Sequence, residues 1–237
     1  MNSDKFTPRL LGMMFLIVII VGILSGLLLD SLNYLMTGPP DNISETMIDF
    51  SDNSIMVQMS IVGFLIEAVA IVLLTVLLYT TLKKQNKIIA RWAFGLWIIE
   101  AVFLAVRQIN AFSLLNVSQE FAKAGVPDSS YFQTLGSLFY KLMHFSYDAQ
   151  MVFYCTGGIL FYYLFFKSKY VPIVLSLWGI AAASVAFIGT LALLFGYDVP
   201  LYVFLPILPF ELAIGIWLMV KGFNPSAIAS ESARGVK

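Results

Sequence analysis

The fold is decided by one stretch near the N-terminus, residues 10–29, which reads LLGMMFLIVIIVGILSGLLL. It contains no charged residue, and its length of about 20 residues is what an α-helix needs to cross the hydrocarbon core of a bilayer. Lys5 and Arg9 precede it as they would precede the core of a signal peptide, but no small-x-small cleavage site follows it. We therefore interpret the stretch as a transmembrane helix that is retained.

The same pattern recurs along the rest of the chain. Of the 237 residues, 59% are hydrophobic and only 12% are charged, which is far more apolar than a soluble domain. Further apolar spans are predicted at residues 55–82, 89–115, 135–166, 171–194 and 201–220. The sequence therefore predicts an all-α, polytopic membrane protein with six transmembrane helices. They form a single domain over residues 1–223, followed by a disordered tail at residues 224–237.

The basic residues are distributed unevenly between the two sides of these spans. Eleven of the 14 Lys and Arg residues fall at the termini or in the second and fourth connections: Lys5, Arg9, Lys83, Lys84, Lys87, Arg91, Lys167, Lys169, Lys221, Arg234 and Lys237. The first connection carries acidic residues and no basic one. Under the positive-inside rule this asymmetry predicts that both termini are cytoplasmic.

Further predictions concern the structure of the two outer connections and the effect of two prolines in the last span. Residues 31–54 are predicted to form an exposed loop, and residues 116–134 to hold one short interfacial helix around Glu120. In the last span, Pro206 and Pro209 each remove a backbone hydrogen bond, which predicts a kinked helix.

Six ionisable residues lie inside the predicted spans: Glu67, Glu100, Arg107, His144, Asp148 and Glu211. A charged side chain at the bilayer centre costs at least ~2.5–3.5 kcal/mol on insertion scales, so each is expected to face the protein interior and to find a partner there. From their distances to the span ends, Glu100, His144 and Glu211 are predicted to converge on one polar cavity between the third, fourth and sixth helices. The predicted ligand-binding set is Glu100, Arg107, His144, Asp148 and Glu211. Whether Glu67 is functional or structural stays open.

Two pairs are predicted within this set. Arg107 lies seven residues after Glu100, about 10 Å further along the helix axis, so Asp148 at a similar depth is the expected partner of Arg107. His144 and Asp148 are four residues apart on one helix, so they can hydrogen-bond and act as an acid–base couple. The alternative is that these side chains only tie the helices together, at an average of ~0.6 kcal/mol per hydrogen bond.

Several kinds of site are excluded or disfavoured. The only cysteine, Cys155, rules out an intrachain disulfide and a cysteine-based metal cluster, and the only histidine rules out bis-histidine haem within one chain. No P-loop, dinucleotide-binding fingerprint or nucleophile elbow is present. No metal and no identified cofactor is predicted. The expected partners are the lipid bilayer and a small-molecule or lipid ligand, and not a nucleic acid.

Three segments carry a family resemblance: residues 211–222 in the last span, residues 167–172 after the helix that bears His144, and Glu100-Ala101 in the third span. They resemble the signatures of a prokaryotic membrane family numbered 4386 among domains of unknown function. The resemblance extends from the first span to Gly222, and it implies the six-span layout. We expect the protein to lie in the inner membrane of a prokaryote. The resemblance singles out Glu100, His144 and Glu211, and it implies no activity.

The leading hypothesis is a membrane protein that binds or translocates a small solute, a proton or a lipid-like molecule at a buried polar pocket, because a membrane-embedded carboxyl can exchange protons or cations. The first alternative is an intramembrane enzyme that uses His144 and Asp148 as its acid–base pair. The second alternative is a sensor or partner subunit without chemistry of its own.

Overall fold

The computed structural model describes residues 3–28, 42–124 and 129–228. Within these ranges the protein is helical and contains no strand. Its helices of ten or more residues are α1 Ser3–Leu28, α2 Ile43–Asp52, α3 Ser54–Leu82, α4 Lys87–Ala124, α5 Ser129–Ser168, α6 Ile173–Leu194 and α7 Ile207–Val220. A 3₁₀ helix at Leu201–Val203 precedes α7.

Six helical segments are long and apolar enough to cross a membrane: Thr7–Leu28, Ser54–Leu82, Lys87–Lys123, Ser130–Ser168, Ile173–Leu194 and Leu201–Val220. Each corresponds to one of the six predicted spans. The predicted fold class, an all-α protein with six membrane-spanning helices, is therefore confirmed, and the chain is a multi-pass membrane protein.

The third span is longer than predicted. Helix α4 continues to Ala124 because residues 96–124 contain neither glycine nor proline. Near its end, Lys123 Nζ donates to Glu120 Oε1 over 3.0 Å, a pair of oppositely charged residues one turn apart that supports the helix. The separate short helix expected within residues 116–134 is therefore wrong, because Glu120 belongs to the last turns of α4.

The first outer connection contains a helix. Helix α2 begins after Asn42, whose side chain accepts a hydrogen bond from the backbone N–H of Ser44 over 3.1 Å and so caps the helix. One side of α2 is buried, and Met47 on that side is fully enclosed. The exposed loop predicted for residues 31–54 is therefore wrong for the part that forms α2, and residues 29–41 lie outside the described ranges.

The last span is broken where a kink was predicted. Phe204 N donates to Leu201 O over 2.9 Å in the 3₁₀ turn, and α7 begins at Ile207, immediately after Pro206. A proline has no N–H to continue the helical ladder, which explains the break. Pro209 falls in the first turn of α7, where the backbone N–H groups have no partner within the helix in any case.

The chain after the last span packs against the connection between α5 and α6. Asn224 donates its backbone N–H to Tyr170 O over 2.9 Å and its side-chain amide to Lys169 O over 2.7 Å. The ring of Phe223 stacks on that of Tyr170 at 4.5 Å. The tail predicted to be disordered is thus folded up to residue 228, and the rest of it lies outside the described part of the chain.

The described chain contains two compact units, and the single domain over residues 1–223 stays a prediction. The first unit contains the described residues of 1–19, 69–101 and 151–237, and the second contains those of 20–68 and 102–150. Helices α1, α3, α4 and α5 each contribute one part to both units, whereas α6 and α7 belong wholly to the first. The large buried apolar cluster belongs to the first unit.

Candidate functional site

Two of the predicted site residues, Glu100 of α4 and Glu211 of α7, lie in the first unit. The hydroxyl of Tyr154 in α5 donates a hydrogen bond to Glu211 Oε1 over 2.6 Å. This distance lies in the range of strong hydrogen bonds from a hydroxyl to a charged oxygen. The bond ties α5 to α7 at the carboxyl group.

Glu100 shares its neighbours with Glu211. It is buried, with only 4% of the residue exposed. Cys155 and Tyr162 of α5 each interact electrostatically with both carboxyl groups. We call Glu100, Tyr154, Cys155, Tyr162 and Glu211 the carboxyl–tyrosine cluster.

Two adjacent glycines of α5, Gly157 and Gly158, make room for the rings around this cluster. A Cβ on Gly157 would lie 2.5 Å from Cδ1 of Trp97, and a Cβ on Gly158 would lie 3.1 Å from Cε2 of Tyr162 and 3.6 Å from its hydroxyl. Trp97 donates its indole N–H to Tyr154 O over 3.0 Å, and its ring stacks on the Tyr154 ring at 6.0 Å. The ring of Tyr162 therefore lies back along α5, over the surface that Gly158 leaves open.

The hydroxyl of Tyr162 is an unsatisfied polar atom. The residue is 1% exposed, and its oxygen has no hydrogen-bond partner among the described residues. It interacts with the hydroxyl of Tyr154, which donates its own proton to Glu211. Leaving such a hydroxyl unpaired costs about 1–3 kcal/mol. The ring is held edge-on against Phe210, with the centroids 4.7 Å apart.

The second unit holds a different polar arrangement around Arg107 of α4. Arg107 is 4% exposed, and its guanidinium carbon lies 5.0 Å from the centroid of the Phe64 ring and 5.2 Å from that of Tyr147. Glu67, one turn after Phe64 on α3, also interacts with it electrostatically. We call Phe64, Glu67, Arg107 and Tyr147 the arginine cluster. Two aromatic rings and a negative charge together account for a buried guanidinium.

Small residues bring α1 close to α3 beside this cluster. Ser60 Oγ donates to Ser25 O over 2.7 Å, and a Cβ on Gly63 would collide with Ser25 Oγ. A Cβ on Gly22 would lie 2.8 Å from Glu67 Oε1. The absence of side chains at these positions lets the two helices approach and places the backbone of α1 beside the Glu67 carboxyl.

The predicted pair of Arg107 and Asp148 is wrong. Within the described residues no ion pair joins them, and the groups that interact with Arg107 are Glu67 and the rings of the arginine cluster. The reason is the direction of the side chains around α5. Tyr147 and Asp148 are successive residues and point about 100° apart around the helix, and Tyr147 is the one that faces Arg107.

His144 lies in the second unit, whereas Glu100 and Glu211 lie in the first. Its Nδ1 is 3.0 Å from the carbonyl oxygen of Tyr140, one turn earlier on α5, and the two rings are 4.2 Å apart. In the part of the chain that the structure describes, no hydrogen bond joins His144 to Asp148, so the predicted acid–base couple does not form. The convergence of His144 with the two glutamates stays a prediction.

Sequence reasoning overlooked the two tyrosines that complete the carboxyl–tyrosine cluster. The signal that could have found them is their spacing. Tyr154 and Tyr162 each lie four residues from Gly158, so all three share one face of α5. A glycine with a tyrosine four residues away on each side indicates that a tyrosine ring packs against the glycine backbone. The tyrosine hydroxyl then lies within the apolar interior.

The cluster offers proton donors and acceptors. Its two carboxyls, two phenols and one thiol can each bind or release a proton, and none of them carries a positive charge. Among the described residues, no group of three or more His, Cys, Asp or Glu side chains is placed to hold a metal ion. The side chains of this cluster can therefore bind and release protons.

Comparison with known proteins gives one family. No curated protein and no solved structure matches the chain. The sequence model of the family described as "Domain of unknown function (DUF4386)" matches residues 10–222, a range that includes every member of both clusters. Because this match covers most of the chain, the protein belongs to the DUF4386 family.

Proposed function

We propose that this protein takes up and releases a proton at the carboxyl–tyrosine cluster, as a step in translocating a proton or a small solute across the membrane. The observation that carries the proposal is the 2.6 Å hydrogen bond from Tyr154 to Glu211, in a cluster that contains a second carboxyl, that of the buried Glu100. Among the described residues, no Lys, Arg or His forms an ion pair with Glu211.

A proton suits this cluster better than a larger ligand. It needs no cavity, whereas a metal ion needs several ligating side chains, and the described residues contain no such group. An ionised carboxylate without a counter-charge is costly in an apolar environment, and binding a proton removes that cost. A carboxyl held in this way can therefore change its charge state as part of a transport cycle.

The cluster residues have separate roles in this proposal. Glu211 binds the proton, and Tyr154 positions its carboxyl by donating to Oε1, which leaves Oε2 for the proton. Glu100 is the second proton acceptor. A role in ligand binding for Arg107, His144 and Asp148 stays a prediction.

Proton flux into lipid vesicles tests the proposal. The purified protein is reconstituted around a pH-sensitive dye, and a potassium diffusion potential drives protons inward. We expect Glu211→Gln and Glu100→Gln each to reduce the flux to that of empty vesicles, because an amide cannot bind the proton. Glu120→Gln removes an exposed carboxyl at the end of α4 and is the matched control, with unchanged flux.

Infrared difference spectra provide a second measurement, which detects proton binding even without flux. The carbonyl band of a protonated carboxyl is compared between acidic and alkaline buffer. We expect a band in the wild type and in Glu120→Gln that is lost in Glu211→Gln. If both glutamate variants of the cluster match the wild type in flux and in spectra, the proposal is wrong.

The same proposal includes the orientation of the protein, with both termini in the cytoplasm of a prokaryote and the chain in its inner membrane. The exposed basic residues at the turn between α3 and α4 support it, as does the exposed acidic Asp49 in the first outer connection. A membrane-impermeant thiol reagent should label Asp49→Cys in intact cells, and Gln85→Cys only after the membrane is opened. The native Cys155 is 0% exposed and should not react. The reverse labelling pattern would overturn this orientation.

A further inference from the structure

The connection between α5 and α6 contains a lysine in an unusual backbone conformation. Lys169 has a φ of 58°, in the left-handed region that residues other than glycine rarely adopt. The other described residues with a positive φ are glycines, Gly196 and Gly222. Position 169 is the first residue after α5, where glycine is the residue most often found because it has no Cβ to strain this conformation. The lysine side chain at this position therefore requires an explanation of its own.

The backbone of this connection is held on both sides of Lys169. Ser168 is buried, and its hydroxyl donates to Phe165 O over 3.0 Å and accepts from Tyr170 N over 3.2 Å. The side-chain amide of Asn224 donates to Lys169 O over 2.7 Å, and its backbone N–H donates to Tyr170 O over 2.9 Å. The side chain of Lys169 is exposed. Its ammonium group therefore extends from a fixed point at the surface of the protein.

Two more exposed lysines lie close to Lys169 in the folded chain. Lys167 is two residues before it, and Lys221 is three residues before Asn224, which bonds to Lys169 directly. Three residues span at most about 11 Å, so the Cα of Lys221 lies within that distance of the Cα of Asn224. Among the described residues, none of the three lysines forms an ion pair. We call Lys167, Lys169 and Lys221 the lysine surface.

The lysine surface lies at the ends of three membrane-spanning segments. The fourth segment ends at Ser168, the fifth begins at Ile173 and the sixth ends at Val220. Apolar side chains near the lysines along the chain are strongly exposed, since Val174 is 77% exposed and Val220 is 68% exposed. A partner that carries an anionic group next to hydrocarbon would contact both kinds of side chain.

We propose that the lysine surface binds the headgroup of an anionic phospholipid, with the acyl chains of the lipid lying along Val174 and Val220. Three ammonium groups without an acidic partner in the described part of the chain favour a headgroup with a net negative charge. A free phosphate ion would leave the exposed apolar side chains without a contact. Lys169 is then retained for its charge in spite of the conformational cost, as strained residues are at functional positions.

Titration of the detergent-solubilised protein with phosphatidylglycerol in low salt, followed by the melting temperature, tests this proposal. We expect phosphatidylglycerol to raise the melting temperature, phosphatidylcholine at the same mole fraction to raise it less, and inorganic phosphate to leave it unchanged. A lysine near a membrane surface contributes about 5-fold to the affinity for anionic lipid. Lys169→Gly should therefore bind phosphatidylglycerol about 5-fold more weakly, and Lys169→Arg should keep the wild-type affinity. Combining Lys169→Gly with Lys167→Gln and Lys221→Gln should weaken binding by on the order of 100-fold.

Two further measurements separate lipid binding from general effects of charge and stability. Without lipid, Lys169→Gly should melt at or above the temperature of the wild type, because glycine adopts the left-handed conformation without strain. Lys87→Gln removes an exposed lysine at the start of α4, outside the lysine surface. This control should keep the wild-type affinity for phosphatidylglycerol.

Any of four results would overturn the proposal. Lys169→Gly could keep the wild-type affinity, or Lys87→Gln could lose as much affinity as Lys169→Gly, which would indicate general attraction between charges. A lower melting temperature of lipid-free Lys169→Gly would show that the lysine side chain is retained because it stabilises the fold. Equal stabilisation of the wild type by inorganic phosphate would show that the surface binds a free anion instead of a lipid. These results leave the proton exchange proposed above untouched, because they concern different residues.

Discussion

The two units keep ionisable groups inside a membrane protein in different ways. In the first unit, the carboxyl–tyrosine cluster contains only groups that are neutral or negative, joined by the short bond from Tyr154 to Glu211. In the second unit, the arginine cluster surrounds the permanent positive charge of Arg107 with two aromatic rings and places Glu67 within electrostatic range. The first arrangement can gain or lose a proton, whereas the second contains a charge that cannot be neutralised in this way.

Under the proposed function, this difference separates a site that exchanges protons from a site that stabilises the fold. Removing one partner of a buried charge arrangement leaves the other charge uncompensated, which is costly. Replacing a protonatable carboxyl by its amide keeps the shape and most of the hydrogen-bonding capacity. We therefore expect the second unit to respond to substitution mainly in stability and the first mainly in proton exchange.

The largest effect should come from Arg107→Ala. It removes the positive charge beside Glu67 and the contacts with both rings, so we expect a loss of about 3–5 kcal/mol in the free energy of unfolding in detergent. Arg91→Ala, which removes an exposed arginine from the same helix, is the matched control and should stay within ~0.5 kcal/mol of the wild type. A loss in Glu211→Gln as large as in Arg107→Ala would contradict the contrast between the units.

The next effect concerns the identity of the partner of Arg107. In a double-mutant cycle, Arg107→Ala and Glu67→Gln should couple by about 0.5–3 kcal/mol, because the two groups interact. The cycle of Arg107→Ala with Asp148→Asn should be additive within ~0.5 kcal/mol, because no ion pair joins these residues in the described part of the chain. If the coupling energy of Arg107 with Asp148 is larger than that with Glu67, the pair of Arg107 and Asp148 predicted from the sequence is correct after all.

A third prediction concerns the glycines beneath the carboxyl–tyrosine cluster. Gly157→Ala places a Cβ 2.5 Å from the Trp97 ring, so we expect a loss of about 1–3 kcal/mol, measured by thermal melting. Gly95→Ala is the control, because a Cβ there meets no atom within 4 Å and should only raise the helix propensity, by ~0.5–1 kcal/mol. Equal changes in stability for Gly157→Ala and Gly95→Ala would show that the packing of Trp97 does not need a glycine at position 157.

The smallest effect on stability should come from Tyr154→Phe. The variant removes the hydrogen bond to Glu211, and hydrogen bonds between membrane helices contribute on average ~0.6 kcal/mol and at most about 1.7 kcal/mol. We expect the melting temperature to fall slightly, whereas Tyr163→Phe, half-exposed on the same helix, should leave it unchanged. A loss comparable to that of Arg107→Ala would place the main stabilising contacts of the protein in the first unit.

The sequence predicted the six spans because long apolar runs identify membrane helices with little ambiguity. It failed where helices extend beyond those runs. Residues 116–124 are polar enough to suggest a loop, yet they continue α4 because nothing in them breaks a helix. The short helix α2 was missed because its acidic residues dominate its composition, while its buried side rests on few residues, such as Met47.

The site was predicted in part. The cost of a charge in the bilayer correctly predicted that Glu100 is buried and that Glu211 is partly buried. Distances along a helix axis say nothing about the direction of a side chain around the helix. That direction decided the partner of Arg107, which faces Tyr147 instead of Asp148. The tyrosines of the carboxyl–tyrosine cluster escaped notice because aromatic residues are common in membrane helices for other reasons.

The length of α5 has a consequence for His144. The helix ends at Ser168, beside the basic Lys167, and His144 lies 24 residues before that end, which is about 36 Å along the axis. The hydrocarbon core is only about 30 Å thick, so α5 would need a tilt of about 35° to keep His144 inside it, near the upper end of the range for membrane helices. Lys141, which lies one turn further from Ser168 than His144 does, is exposed. At a smaller tilt the imidazole would lie in the headgroup layer, so we expect it to react with reagents confined to water without any opening of the helices.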